Sequence, residues 1–138
     1  MAGRILVIED NPTNLELTTY LLKAFNYTVL TAADGSQAIN IAGRERVDLI
    51  ICDIHLPRMD GYEIARRLKG HSVLRRIPLV AVTALAMVGD REKVLAAGFD
   101  GYISKPITPE IFIKQIEEFL NGEYRDGGSN GVKQGRED

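Results

Sequence analysis

The sequence predicts an α/β fold in which five parallel strands form a doubly wound sheet with helices on both faces. Five short apolar segments, most of them rich in β-branched residues, alternate with longer segments in which apolar residues recur at helical spacing. This alternation is typical of successive strand and helix units, whose right-handed crossovers cover both faces of one sheet. The 138 residues, 45% of them apolar and 26% charged, suit a single globular domain.

Each predicted strand is short and is followed by polar residues. Segments this apolar are expected to be covered on both faces of the sheet. The third segment lies in the middle of the chain, which favours a central position in the sheet. In chain order, the strands are predicted at Arg4–Ile8, Thr28–Thr31, Leu49–Cys52, Leu79–Val82 and Gly101–Ser104.

Capping signals mark the ends of the intervening helices. The pairs Asn11–Pro12 and Thr108–Pro109 each place a capping residue before a first-turn proline. Asp34–Gln37 and Asp60–Glu63 have the spacing of capping boxes. Gly98 is expected to end the fourth helix, over residues 91–97, in a left-handed conformation.

One domain is predicted over residues 1–121 and a disordered tail over residues 122–138. Five glycines fall in those last seventeen residues, among small polar residues and charges of both signs. Such a composition buries too little apolar surface to fold. We interpret the tail as a linker, with a regulatory segment as the alternative.

Composition and charge exclude several classes of protein. The net charge is −2 and no long basic run occurs, so neither nucleic-acid binding nor membrane attachment is indicated. No window approaches 18 uninterrupted apolar residues, and we expect a cytoplasmic protein. The single cysteine, Cys52, excludes an intramolecular disulfide and is expected to be a small buried hydrophobe.

Polar residues with useful chemistry collect at the carboxyl ends of the predicted strands. Glu9 and Asp10 follow the first strand, Asp53 the third, Thr83 the fourth and Lys105 the fifth. Ligand sites of open parallel sheets lie at this edge. Each residue alone would be ordinary at a turn or on a surface. Their joint placement predicts one rim with three carboxylates, one hydroxyl and one ammonium.

Carboxylates that lie this close together need a compensating cation, because their repulsion raises the pKa of at least one of them. Mg²⁺ fits, since it binds carboxylates, water and phosphate oxygens. A zinc site is not indicated, because the two histidines, His55 and His71, are far apart. A phosphoryl group bound here would meet Mg²⁺, Lys105 and the Thr83 hydroxyl, with Asp53 as the nucleophile.

With these residues, the chain resembles the response-regulator receiver domains of two-component signalling, which have a CheY-like fold of five strand–helix units. The resemblance covers residues 3 to about 120. The stretch from Ala84 to Asp90 is similar to single-domain regulators of the cell-cycle type and to receivers attached to hybrid kinases. Four motifs that occur in the usual order carry the resemblance: Glu9–Asp10, Asp53–Gly61, Val82–Ala84 and Lys105–Pro106.

The resemblance implies a phosphoacceptor and a set of Mg²⁺ ligands. Asp53 matches the phosphoacceptor and also a metal ligand. Asp10 matches a direct ligand, and the backbone carbonyl of His55 matches another. Glu9 matches an acidic residue that acts largely through water, and it departs mildly from the aspartate that is commoner at this position.

The resemblance also implies a set of switch residues. Thr83 and Lys105 match the residues that contact the phosphoryl group. Tyr102 matches an aromatic residue whose ring turns inward when Thr83 moves, and Lys105–Pro106 matches a peptide bond that is typically cis. Apolar bulk at Leu85 would hinder an attacking water, which predicts a long phosphoryl lifetime.

These expectations describe a single-domain response regulator that is not a turnover enzyme. Asp53 takes a phosphoryl group from a histidine kinase or a histidine phosphotransfer protein in a Mg²⁺-dependent reaction, and it loses the group slowly. The modified state presents a changed surface, formed by the fourth helix, the fifth strand and the fifth helix, to a downstream protein.

Three other functions compete with this interpretation. A phosphatase of the haloacid-dehalogenase type uses similar groups, but it needs a second acid where this chain has His55, and usually a cap domain. A flavodoxin-like FMN carrier is disfavoured because Glu9 and Asp10 would repel the phosphate. A receiver that is never phosphorylated is disfavoured because every chemical position is filled.

Overall fold

A computed structural model describes residues 3–56, 59–84 and 90–122, together with residues 128–129 and 132–133. Strands and α-helices alternate from residue 4 to residue 121, as the sequence predicts. The elements are β1 (Arg4–Ile8), α1 (Pro12–Ala24), β2 (Thr28–Ala32), α2 (Gly35–Arg44), β3 (Leu49–Asp53), α3 (Gly61–Lys69), β4 (Leu79–Thr83), α4 (Asp90–Ala96), β5 (Gly101–Ser104) and α5 (Pro109–Asn121).

The five strands form one parallel sheet in the order β2-β1-β3-β4-β5, which confirms the predicted fold class. β3 is the central strand, as its place in the chain predicts. The chain winds outward from β1 to β2 and then in the opposite direction from β3 to β5. The order therefore reverses between β1 and β3, and their carboxyl ends border the crevice where ligands of such sheets bind.

Alternate strand residues feed two hydrophobic cores, one on each face of the sheet. Ile5 and Val7 of β1 pack with residues of α1 and α5, such as Leu22 and Phe112. The neighbouring residues of β1 pack instead with α2, α3 and α4. Because successive strand side chains point to opposite faces, a strand covered on both sides must be apolar throughout. Cys52 of β3 is buried, as expected, and burial raises the pKa of its thiol.

All four predicted N-cap residues precede a helix, and three of them make a side-chain capping hydrogen bond. Side-chain oxygens of Asn11, Asp34 and Asp60 accept hydrogen bonds from backbone N–H groups three residues later, at 3.0, 2.9 and 3.0 Å. Thr108 is the N-cap residue of α5 and Pro109 lies in its first turn, as predicted, although the Thr108 side chain makes no capping hydrogen bond. Pro109 has no N–H to satisfy and a backbone angle already suited to a helix.

The helix ends also follow the sequence signals closely. Gly98 has a φ of +116°, the left-handed conformation predicted for it, although α4 ends one residue earlier than expected, at Ala96. α5 ends at Asn121, followed by Gly122 with a φ of +78°. None of the described helices is both long enough and apolar enough to cross a membrane.

Beyond α5, the structure describes one antiparallel pair of two-residue strands, Gly128–Ser129 and Val132–Lys133. Residues 123–127, 130–131 and 134–138 lie outside the described residues. The disorder of the tail therefore stays a prediction. Leu85, with its expected effect on phosphoryl lifetime, also lies outside the described residues.

Gly61, the first residue of α3, lies against the backbone of the central strand. A Cβ at this position would lie 2.7 Å from Ile54 Cα and 2.9 Å from the Asp53 carbonyl oxygen, neither of which can rotate away. We expect Gly61→Ala to lower the free energy of unfolding in urea by about 1–3 kcal/mol through overpacking.

Gly43→Ala is the matched control for this experiment. Gly43 is exposed in α2, with nothing within 4 Å of the added Cβ, so the substitution should raise stability by about 0.5–1 kcal/mol. Equal stability changes for both variants would contradict the close packing of α3 on β3.

Candidate functional site

The predicted site residues lie together at the carboxyl edge of the sheet. Glu9 directly follows β1, and Asp53 is the last residue of the adjacent central strand. Thr83 ends β4, and Lys105 follows β5. Strand ends that are neighbours in space thus bring together side chains that are up to 96 positions apart in sequence.

Two of these residues lie within the sheet and not in the loops that follow it. β3 and β4 are each one residue longer than predicted, because Asp53 pairs with Val82 and Thr83 pairs with Ser104. Their side chains are polar, but their backbones continue the ladder. The hydrogen-bonded sheet therefore fixes the backbone positions of Asp53 and Thr83 directly.

Three carboxylates converge at this edge. One oxygen from each of Glu9, Asp10 and Asp53 lies within 4.8 Å of the other two. Glu9 and Asp53 are only 7% and 8% exposed, whereas Asp10 faces solvent. Hydrogen bonds hold Glu9 in place: its N–H donates to Ala32 O (3.0 Å), and Asn11 N–H donates to its Oε2 (3.2 Å).

Lys105 supplies a positive charge between the two buried carboxylates. Its Nζ lies 3.6 Å from Glu9 Oε1 and 3.5 Å from Asp53 Oδ2. The backbone N–H of Lys105 donates to Thr83 O (2.8 Å), which ties the loop after β5 to the end of β4. One cation thus offsets two buried acids, and a third acid lies beside them at the surface.

The pKa of Glu9 is raised, and burial is the main cause. The Asn11 N–H opposes this shift, the nearby charge of Asp53 adds to it, and the Lys105 ammonium opposes it. The net direction means that burial disfavours the charged form of Glu9 in the folded state. A further cation bound here would favour that charged form.

His55 contributes its backbone to the site. Its backbone N–H donates to Asp53 Oδ1 at 3.1 Å, and the residue is exposed to solvent. This arrangement orients the Asp53 carboxylate and leaves Oδ2 facing Lys105. The role of the His55 carbonyl as a metal ligand stays a prediction.

Tyr102 lies on β5, an edge strand of the sheet. It packs against the core on the face of the sheet that α2, α3 and α4 cover. Together with Pro106 and Ile111, it also lines a surface cavity of about 370 Å³. Thr83 is buried at the end of the neighbouring strand, and the Lys105–Pro106 bond is cis. The inward movement of the Tyr102 ring stays a prediction.

An apolar cavity of about 440 Å³ opens beside the acidic cluster, and sequence reasoning missed it. Leu17 and Thr18 of α1 line one side and Ile107 lines the other, and the cavity reaches Asp53 and Lys105. Leu17 is an exposed apolar residue outside the buried stripe of α1, and this is the signal that could have revealed the cavity.

A sequence model of the family described as "response regulator receiver domain" matches residues 5–117. The chain belongs to the response regulator receiver domain family. This finding confirms the resemblance on which the residue roles above depend, and it agrees with the five-stranded parallel sheet. The family consists of signalling proteins, and the haloacid-dehalogenase alternative has no support among the relatives named below.

Named receiver domains and regulators resemble the chain over most of its length. The polar-differentiation response regulator DivK of Brucella anthropi is 40% identical over 120 residues, which are 87% of this chain and 98% of DivK. The receiver domain of sensor histidine kinase PA1611 from Pseudomonas aeruginosa, solved with a magnesium ion in its active-site cleft, is 36% identical with a TM-score of 0.81. It aligns with 88% of this chain and 99% of its own. Chemotaxis protein CheY4 of Vibrio cholerae is 27% identical, with a TM-score of 0.81, and aligns with 86% of this chain and 99% of its own.

We expect Glu9→Gln to stabilise the metal-free receiver domain at neutral pH. The raised pKa of Glu9 means that its charged form is disfavoured in the folded state. Below the ordinary glutamate pKa, protonation of Glu9 contributes to the stability of the folded wild-type protein. This contribution is lost as the pH rises through the raised pKa that Glu9 has in the folded state. The neutral amide avoids this loss.

Urea unfolding in EDTA between pH 4 and pH 8 measures this effect. The stability advantage of the variant should be greatest at pH 8 and should shrink toward pH 4. A variant that is less stable than wild type at pH 8 would show that the ionised Glu9 is a net stabilising group.

Proposed function

We propose that this receiver domain is a Mg²⁺-dependent phosphoacceptor switch, and that Asp53 takes its phosphoryl group from a phosphohistidine of a histidine kinase or histidine phosphotransfer protein. One observation carries the proposal. The buried carboxylate of Asp53 ends the central strand with an ammonium 3.5 Å from its Oδ2 and two further acids within 4.8 Å. The cytoplasmic location stays a prediction.

The residues of the acidic cluster fit Mg²⁺. All their donor atoms are oxygens, as this hard cation requires, and the cluster carries more negative charge than Lys105 offsets. We propose Asp10, Asp53 and the His55 carbonyl as direct ligands, with Glu9 acting through water. Mg²⁺ held there would reduce the repulsion between the phosphoryl oxygens and the carboxylates. The magnesium ion of the PA1611 receiver domain supports this assignment.

The chain's own groups suit the transfer of a phosphoryl group to Asp53. Oδ1 is held by the His55 N–H, so we assign the attack to Oδ2. A bond forms from Oδ2 to phosphorus as the phosphorus–nitrogen bond of the donor breaks, and its electron pair stays on the departing imidazole. The Lys105 ammonium and the Thr83 hydroxyl bind phosphoryl oxygens and stabilise their charge.

The acyl phosphate then changes a distant surface. Its phosphoryl group carries about 1.5 to 2 negative charges beside Lys105, in place of the single charge of the free Asp53 carboxylate. We propose that Thr83 moves toward this charge, that Tyr102 fills the space released, and that the α4-β5-α5 face changes its preferred conformation. Leu95 of α4 (37% exposed) and Ile111 of α5 (58% exposed) offer apolar contacts for a downstream protein there.

Phosphorylation of the purified protein by acetyl phosphate tests the identity of the acceptor. We expect one phosphoryl group per chain by intact mass spectrometry with Mg²⁺, and none in EDTA. Asp53→Asn should abolish the modification, while Glu110→Gln, which removes an exposed charge from α5, should leave it unchanged. Continuous phosphate release from p-nitrophenyl phosphate would contradict a switch and favour a phosphatase.

Lys105→Gln should separate metal binding from phosphoryl transfer. The ammonium competes with a divalent cation for Glu9 and Asp53, so its loss should tighten Mg²⁺ binding. The same loss should slow phosphorylation by about 10²-fold, because a positive charge near the phosphoryl oxygens is removed.

Isothermal titration calorimetry measures the first effect, since the chain has no tryptophan to report on binding. Phosphorylation rates at saturating Mg²⁺ measure the second. Weaker Mg²⁺ binding with an unchanged rate would contradict the role given to Lys105.

A further inference from the structure

α4 is held to the rest of the domain by less buried surface than the other helices that the structure describes. Val94 is its one buried residue, whereas α1, α2, α3 and α5 each bury three or four. Helices with few buried contacts open and shift at low cost in free energy. The contacts that α4 does make therefore have a large influence on its position.

One of these contacts joins α4 to α3. Lys93 Nζ lies 5.2 Å from the centroid of the Tyr62 ring, which is the geometry of a cation–π interaction. Tyr62 lies in the first turn of α3 and packs partly buried against the core. Burial raises its pKa, and the charges of Asp90 and Asp60 add to this shift, which agrees with a ring between the starts of the two helices.

The start of α3, in turn, lies against the backbone next to Asp53. The Gly61 N–H donates to Ile54 O at 2.8 Å, and even a Cβ on Gly61 would lie 2.9 Å from the Asp53 carbonyl oxygen. The first turn of α3, which carries Tyr62, is thus packed closely on the Asp53–Ile54 backbone and hydrogen-bonded to it. This contact couples a displacement of that backbone to the start of α3.

We propose that the Tyr62–Lys93 contact is a second link between the phosphoacceptor and α4, separate from Thr83, and that it holds α4 in its unmodified position. Modification of Asp53 shifts the start of α3 and weakens this contact, which releases α4. The inference rests on the proposed function, because it gives that switch a further regulated contact.

Hydrogen exchange of the unmodified protein tests whether the contact restrains α4. Tyr62→Leu and Lys93→Gln should each speed exchange in peptides covering residues 90–96 by about two- to five-fold, the range expected for an exposed cation–π pair. Tyr62→Phe keeps the aromatic ring and should match wild type. Lys114→Gln removes an exposed lysine from α5 and serves as the matched control.

The double variant Tyr62→Leu/Lys93→Gln shows whether the two residues act through each other. If they do, its exchange should be no faster than that of the single variants. Exchange rates equal to those of Lys114→Gln would overturn the proposal. So would a double variant whose effect is the product of the two single effects.

Binding of beryllofluoride with Mg²⁺, a mimic of the phosphoryl group, tests the link to Asp53. Tyr62→Leu and Lys93→Gln should bind it about two- to five-fold more tightly than wild type, because the unmodified position of α4 is destabilised. Unchanged affinity would overturn the link. Failure of wild type itself to bind would overturn the proposed function and this link together, while the exchange data would still decide whether the contact restrains α4.

Discussion

The balance between buried acids and one lysine at the carboxyl edge of the sheet is the interaction on which the rest of the site depends. Glu9 and Asp53 are buried at the ends of adjacent strands, and Lys105 reaches both of them from the loop after β5. Burial makes each charge costly, so the acids must be met by a cation. Among the residues that the structure describes, Lys105 sets one positive charge against the three acids of the cluster, and this imbalance favours a further cation at the site.

The same constraint explains why the fold is built around this edge. The order of the strands reverses between β1 and β3, and this reversal opens the crevice that the acids occupy. The apolar strands beneath are covered on both faces, and they hold Asp53 and Thr83 within the hydrogen-bonded ladder. The carboxylate that we propose as the phosphoacceptor is thereby fixed to the sheet, whereas α4, the helix that we propose to respond, buries a single side chain.

Much of this arrangement could be predicted from sequence, because apolar segments and strand-end polar residues obey local rules. The predicted ends of β3 and β4, at Cys52 and Val82, were each one residue too early. The apolar pattern stops at the polar side chain that follows, although the backbone pairing of the sheet continues through that residue. The 440 Å³ cavity and the Tyr62–Lys93 contact could not be predicted. Both depend on how separate elements pack, which spacing along one element does not reveal.

Chemical mapping of the modified residue tests the central claim most directly. Borodeuteride reduces an acyl phosphate to an alcohol, so an aspartyl phosphate becomes a deuterated homoserine that tandem mass spectrometry can locate. After phosphorylation with Mg²⁺, the account predicts this product at position 53 and at no other carboxylate. Deuterium at Glu9 or Asp10, or a stable phosphate on a hydroxyl or histidine, would show that the acids and Lys105 serve another purpose.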